Sequence, residues 1–76
     1  MARTRKARYP TKGIAANARR LRAELGLSLN ALAKRLGWRY QTLHKIESGK
    51  TRNPRLETVR ALAKALGVTV DGLVGA

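Results

Sequence analysis

An all-α domain of five short helices is the fold class this sequence predicts, on three observations. Leu, Ala, Arg and Lys, all good helix formers, dominate the chain. No stretch alternates apolar and polar residues as a half-buried strand does. Glycines follow runs in which apolar residues recur three and four apart, so each helical pattern carries a visible stop.

The 76 residues hold one small domain. A domain of that size buries only about 60% of the surface its unfolded chain exposes, so its stability is marginal. There are no cysteines, which excludes disulfide staples and a thiolate metal site. Phe is absent, and Trp38, Tyr9 and Tyr40 are the only aromatics, so Leu, Ile, Val and Ala must supply the core.

Charge is the strongest compositional signal. Seventeen Lys and Arg against four acids give a formal net charge of +13. Such an excess attracts polyanions, nucleic acid first and an anionic membrane second. The membrane reading needs a long apolar span or an amphipathic helix to spare, and the amphipathic helices here are needed for the core. MARTRKARYP has positive charge with no apolar stretch behind it, so it does not read as a secretory signal. A cytoplasmic, nucleoid-associated protein is the expectation.

Residues 1–13 carry Arg3, Arg5, Lys6, Arg8 and Lys12 with no acid, and Pro10 and Gly13 punctuate their end. With like charges and little to bury, this stretch is expected to be a flexible, disordered basic arm ahead of a domain at 14–76. Two readings of the arm stand side by side, a solvated tail and a segment that orders on DNA phosphates or in a minor groove.

A helical pattern starts at Ile14, with Ala18, Leu21 and Leu25 on its inner face and Arg19, Arg20 and Glu24 elsewhere. Gly26 stops it. Ser28 is a suitable N-cap for a second helix that turns Leu32, Ala33 and Leu36 inward and ends at Gly37. Trp38 leads into a third helix with Leu43 and Ile46 on its buried face, closed by Gly49. A polar loop, KTRNP, follows. Leu56, Val59, Leu62, Ala63 and Leu66 mark a fourth helix stopped by Gly67, and Thr69 caps a short fifth over VDGLV. No internal repeat is present.

Two short helices joined through Gly37, the second polar on its outer side, suggest a helix-turn-helix. The run GLSLNALAKRLGWRYQTLHKIESGKTRNPRLETVRALAKALGVTVDGL resembles the DNA-binding domains of lambdoid phage repressors and Cro proteins, the XRE-like regulators. The resemblance rests on GLS, the Leu32-Ala33 pair, the Gly37 turn, IESGK at 46–50, Pro54, ALAKALGV and the final VDGL, and it covers about residues 14–74. It implies a compact, lambda-repressor-like five-helix fold.

It also implies that residues 28–36 cross the DNA backbone while 39–48 enter the major groove amino end first. Tyr40, Gln41, Thr42 and Lys45 would then meet base edges. Gln41 can bond an adenine edge through two atoms and Lys45 can reach guanine O6 and N7, each good contact giving about 1–3 kcal/mol of discrimination. Thr42 reads either a base or a phosphate. For Tyr40 three roles stay open: stacking near a sugar, donating to a phosphate, or covering the start of the helix. His44 lies between groove face and body, and with no second ligand apparent it is not read as a metal site.

Lys50, Thr51, Arg52, Asn53 and Arg55 resemble the family's phosphate clamp, joined by Arg39 as a phosphate ligand. The alternative for the loop is an ordinary polar turn. Arg22 and Glu47 match the family's structural ion pair between first and third helices. Three positions depart from the pattern. Leu29 stands where a phosphate-touching Gln is usual and is expected to be exposed, serving a protein surface or a thymine methyl. Arg39 replaces the Ser or Thr that would cap the third helix. Gly72 and Val74 stand where relatives carry bulkier dimer-forming residues, which points to a weak homodimer, one that forms on DNA.

The function expected is a sequence-specific transcriptional regulator, a repressor, on a dyad-symmetric operator in double-stranded DNA. It would act by occluding polymerase, since 76 residues leave no room for a sensing domain. The alternative is an antitoxin or other protein-interaction module of the same fold, using the surface around Leu29 and residues 70–76 for a protein partner. Non-specific coating or RNA binding lacks a stacking platform beyond Tyr40. Enzymatic activity is not expected, because Glu24, Glu47, Glu57 and Asp71 are scattered and no nucleophile–base pair or phosphate-binding Gly loop appears. No cofactor is implied.

Overall fold

Five helices follow one another: α1 (Thr11–Glu24), α2 (Leu29–Leu36), α3 (Tyr40–Glu47), α4 (Leu56–Leu66) and α5 (Val70–Val74). The structure, a computed structural model, describes residues 11–51 and 54–75. Among these no strand occurs. The basic arm residues Arg3, Arg5, Lys6 and Arg8, and Arg52 and Asn53 of the loop, lie outside the described residues.

One side chain set closes the core. Ile14 and Ala18 of α1 meet Leu32 and Ala33 of α2, Leu43 and Ile46 of α3, Val59, Leu62, Ala63 and Leu66 of α4, and Leu73 of α5. Alanines at 15, 18, 33 and 63 are buried beside these larger residues, which lets the short helices approach closely. α1 packs on α3, α4 and α5, while α2 packs on α3 and α4. The arrangement leaves one face of α3 outward.

Helix α1 begins at Thr11, three residues ahead of the expected start at Ile14. Gly13, read as a break, sits inside the helix, and a glycine is needed there because the end of α5 passes beside it. A Cβ there would lie 2.8 Å from the Val74 carbonyl oxygen. Thr11, Lys12 and Gly13 therefore belong to α1 and not to the arm. At the other end, Leu25 is 50% exposed, against the expectation that it faced inward. It lies past the last turn of α1, where the chain is already bending away from the core. Leu56, at the first position of α4, is likewise exposed, while the rest of its expected stripe is buried.

Helices α1 to α4 end alike. After α2, Gly37 N–H donates to Lys34 O at 3.1 Å and Trp38 N–H donates to Ala33 O at 2.9 Å. This is the Schellman pattern, and Gly37 takes the left-handed conformation it needs at φ 73°. The same two bonds recur at Gly26–Leu27, Gly49–Lys50 and Gly67–Val68. Leu27, Trp38 and Val68, the residues that follow, pack back against the core. Lys50 does not; it is exposed. Thr69 caps α5 as expected, its Oγ1 accepting from Gly72 N–H at 3.0 Å.

Candidate nucleic-acid interface

The interface is built by how α3 is started, turned and held. Ser28 caps α2 by accepting from Ala31 N–H at 3.0 Å, so the preceding turn is fixed on its carboxyl side. The Gly37 closure then delivers the chain to α3 in two residues. Arg39 sits at the N-cap in extended backbone and makes no side-chain capping bond, so its exposed guanidinium is not committed to the helix.

At 100° per residue, Leu43, Ile46 and Glu47 share one side of α3, and all three are buried. Gln41, Lys45 and Ser48 stand opposite, with His44 beside them and Tyr40 and Thr42 on the flanks; all of these are exposed. Gln41 and Lys45 thus lie together on the outward side of one short helix, with Tyr40 and Thr42 on its opposite flanks. The Tyr40 and His44 rings stack with centroids 5.9 Å apart and planes 18° apart. Tyr40, Gln41, His44, Lys45 and Lys50 enclose an open concavity of about 180 Å³.

The inner side of α3 is tied down by charge as well as packing. Arg22 Nε donates to both Glu47 carboxylate oxygens, at 3.1 Å and 2.9 Å, and its Nη2 donates to Oε1 at 3.0 Å. Its Nη1 donates to the Leu27 carbonyl at 2.9 Å, bracing the turn after α1 as well. Glu47 is only 4% exposed, so its charge needs this fork-on-carboxylate geometry. Arg19 adds a second tie by donating through Nη1 to the Glu47 carbonyl oxygen. The sequence reading placed Arg19 away from contacts. Its spacing three residues before Arg22 was the one available signal, since that spacing puts both on the same side of α1.

Beyond α3 the chain leaves the helix through the Gly49 closure. Lys50 N–H and Thr51 N–H both donate to Lys45 O, at 2.9 Å and 3.3 Å, which fixes where the loop leaves the helix. Lys50 and Arg55 are exposed, Thr51 is half-buried, and Pro54 is buried and returns the chain to the body. Arg55 then occupies the N-cap of α4 without a side-chain capping bond. Of the described loop cations, Lys50 lies beside the outward side of α3, next to Lys45.

One expectation about this face changes and one holds. Leu29 is half-buried and packs against the core, not exposed as expected, because it falls on the inner side of α2 next to Leu32 and Ala33. His44 lies between groove face and body as expected, lining one hollow with Gln41 and Lys45 and another with Arg19, Arg22 and Leu29, and its ring stacks on Tyr40. The i to i+4 spacing of the two rings on a helix was the signal for that stack.

Among the described residues no group of three His, Cys, Asp or Glu could hold a metal ion, and no helix is long and apolar enough to cross a membrane.

The profile of a family described as helix-turn-helix, HTH_3, matches residues 19–73. A protein of Sinorhizobium fredii, named as the uncharacterized HTH-type transcriptional regulator y4dJ, is 41% identical over 63 residues, covering 83% of this chain and 80% of that one. The crystal structure of the hypothetical transcription factor NHTF from Neisseria is similar at a TM-score of 0.80 and 26% identity, across 97% of this chain and 84% of its own. An HTH_3 family transcriptional regulator from Vibrio cholerae is similar at a TM-score of 0.76 and 29% identity, across 86% of this chain. This chain spans 36% of the length of that Vibrio protein.

Proposed function

This chain belongs to the HTH_3 helix-turn-helix family of DNA-binding transcriptional regulators, and from that premise we propose that it is a sequence-specific repressor. Its target is an operator of dyad symmetry, read in the major groove of double-stranded DNA. Members of this family regulate by binding DNA and are not enzymes.

The observation that carries the reading is the two-sidedness of α3. Its inner side is held by Leu43, Ile46 and the Arg22–Glu47 pair, so Gln41 and Lys45 stand on a rigid outer side with no structural duty. Rigid presentation matters because base readout needs bidentate geometry. Gln41 and Lys45 read bases, with Tyr40 and Thr42 flanking them. Arg39, Lys50, Thr51, Arg52 and Arg55 hold phosphates along the groove edge, setting register without reading sequence. Arg3, Arg5, Lys6 and Arg8 add phosphate or minor-groove contacts.

Two copies on half-sites about one helical turn, ~34 Å, apart would match the dyad, pairing weakly and on DNA. Repression follows by occluding polymerase. The antitoxin alternative relied on an exposed Leu29 as part of its docking surface. With Leu29 packed against the core, that reading loses its anchor.

Selection of bound duplexes from a random pool tests the proposal. A two-fold symmetric consensus is expected, with Lys45→Ala relaxing one base pair per half-site by about 1–3 kcal/mol. Binding at physiological salt with no preference over random DNA overturns it.

A further inference from the structure

Another hollow lies where the end of α2 meets the second half of α4. Arg35 and Leu36 line it from α2, and Ala61, Lys64 and Ala65 from α4, around an open space of about 460 Å³. It shares no lining residue with the concavity in front of α3. Neither Leu29 nor any residue of 70–76 belongs to it. Leu36, Ala61 and Ala65 are half-buried, whereas Arg35 and Lys64 are exposed. The groove therefore has an apolar floor bordered by two cations. Ala61 and Ala65 stand one turn apart on α4, and a single methyl group at each leaves the space beside Leu36 open.

DNA backbone does not use such a floor, because a phosphate is held by cations and N–H groups and gains nothing from apolar surface. Charge narrows what does use it. A second copy of the chain brings the same net charge of +13. Its acids are Glu24, Glu47, Glu57 and Asp71, no two closer than ten residues, so no segment of it offers acids on both sides of an apolar stripe. Glu47 is moreover buried on Arg22. The basic arm is repelled for the same reason. We propose that the α2–α4 groove is a docking site for an acidic amphipathic helix of a different protein. Apolar side chains of that helix rest on Leu36, Ala61 and Ala65, and flanking acids meet Arg35 and Lys64. The apolar anchors supply affinity and the charges set orientation. The groove and the outward side of α3 have no residue in common, so partner and DNA can be held together. The proposal does not rest on the repressor reading.

Arg35 and Lys64 lie in the last turns of their helices, where a cation also complements the helix dipole without any partner. The experiment separates the two roles. Its probe is a synthetic peptide helix with Leu at i, i+4 and i+7 and Glu on both sides of that stripe. The peptide is titrated against the full chain bound to duplex DNA, whose phosphates offset the net positive charge and suppress non-specific attraction of acids. Saturable binding is expected, with the largest amide shifts at Leu36, Ala61 and Ala65. A peptide of the same composition with its leucines scrambled should bind about tenfold more weakly. Arg35→Gln and Lys64→Gln should each weaken binding by up to about fivefold. Both should leave DNA affinity and its salt dependence unchanged. Ala61→Glu, which sets an acid on the floor, should abolish peptide binding; circular dichroism verifies its fold, and the two exposed Gln variants decide the matter if it does not fold.

No binding, equal binding of the scrambled peptide, or shifts confined to other residues overturns the proposal. Weaker DNA binding with a shallower salt slope in the Gln variants also overturns it, by assigning the groove to DNA. A lowered Tm with undiminished peptide binding assigns the two cations to the helix dipoles instead. Self-association that these variants abolish gives the groove to a second copy. Binding to phosphatidylserine vesicles that they abolish, without peptide binding, gives it to a membrane surface.

Discussion

The ends of α2 and α3 are closed by the same pair of backbone bonds, and the chain then does opposite things. After Gly37, Trp38 folds back onto the core and α3 begins at Tyr40. After Gly49, Lys50 stays exposed, Thr51 is half-buried and Pro54 is buried. The glycine stops the helix in both cases. The next side chain decides where the chain goes, since an apolar residue gains by burial and a charged one loses solvation. One turn is thereby a joint between helices, and the other sets the Lys50 cation beside the outward side of α3. The α3 end compensates for its missing apolar anchor with charge, through Arg22 and Arg19 of α1 on Glu47.

That contrast can be broken at either end. The largest effect is expected from Glu47→Ala, which leaves Arg22 without its carboxylate while it is still mostly buried. It should cost about 3 kcal/mol in urea unfolding, at the low end for a broken buried pair because Arg22 keeps some solvent. Trp38→Ala should cost about 2 kcal/mol, less than the roughly 3–5 kcal/mol of a fully buried Trp.

Gly37→Ala and Gly49→Ala sharpen the comparison, because the closures share one geometry. Both glycines have positive φ, and no atom lies within 4 Å of an added Cβ at either. The penalty is therefore torsional alone, about 1–2 kcal/mol at each position and equal within error. Unequal losses would mean that the two joints are not equivalent. The smallest stability effect belongs to Lys50→Ala, within about 0.5 kcal/mol of the unsubstituted protein. If Lys50 holds one phosphate, its log–log salt dependence of DNA affinity should become shallower by about 0.9. An unchanged salt slope would remove Lys50 from the phosphate contacts.

How much of this was legible beforehand varies with distance along the chain. Ser28, Gly37 and Thr69 each act on groups within five residues, so their roles could be read from identity and spacing. The Arg22–Glu47 pair spans 25 residues and came from family resemblance, not from spacing. Arg19 on the Glu47 carbonyl, also a contact between α1 and α3, had no such support and was missed. Leu25 and Leu29 failed in opposite directions, one expected inside and found exposed, the other the reverse. Periodicity gives a helix face, but the end of a helix and the approach of a neighbour decide which residues on its margins are covered.

By itself, the sequence determined the five helices, their stops, the inner residues of α2, α3 and α4 apart from Leu29 and Leu56, and the polar side of α3. These follow from backbone bonds and apolar periodicity within a few residues. The family followed from the ordered motif set. Tertiary structure alone decided that Gly13, inside α1, must admit the Val74 carbonyl. It also decided that two arginines of α1 hold the end of α3. Those features depend on how helices cross. Crossing is set by the packing of the whole core, which no local pattern contains.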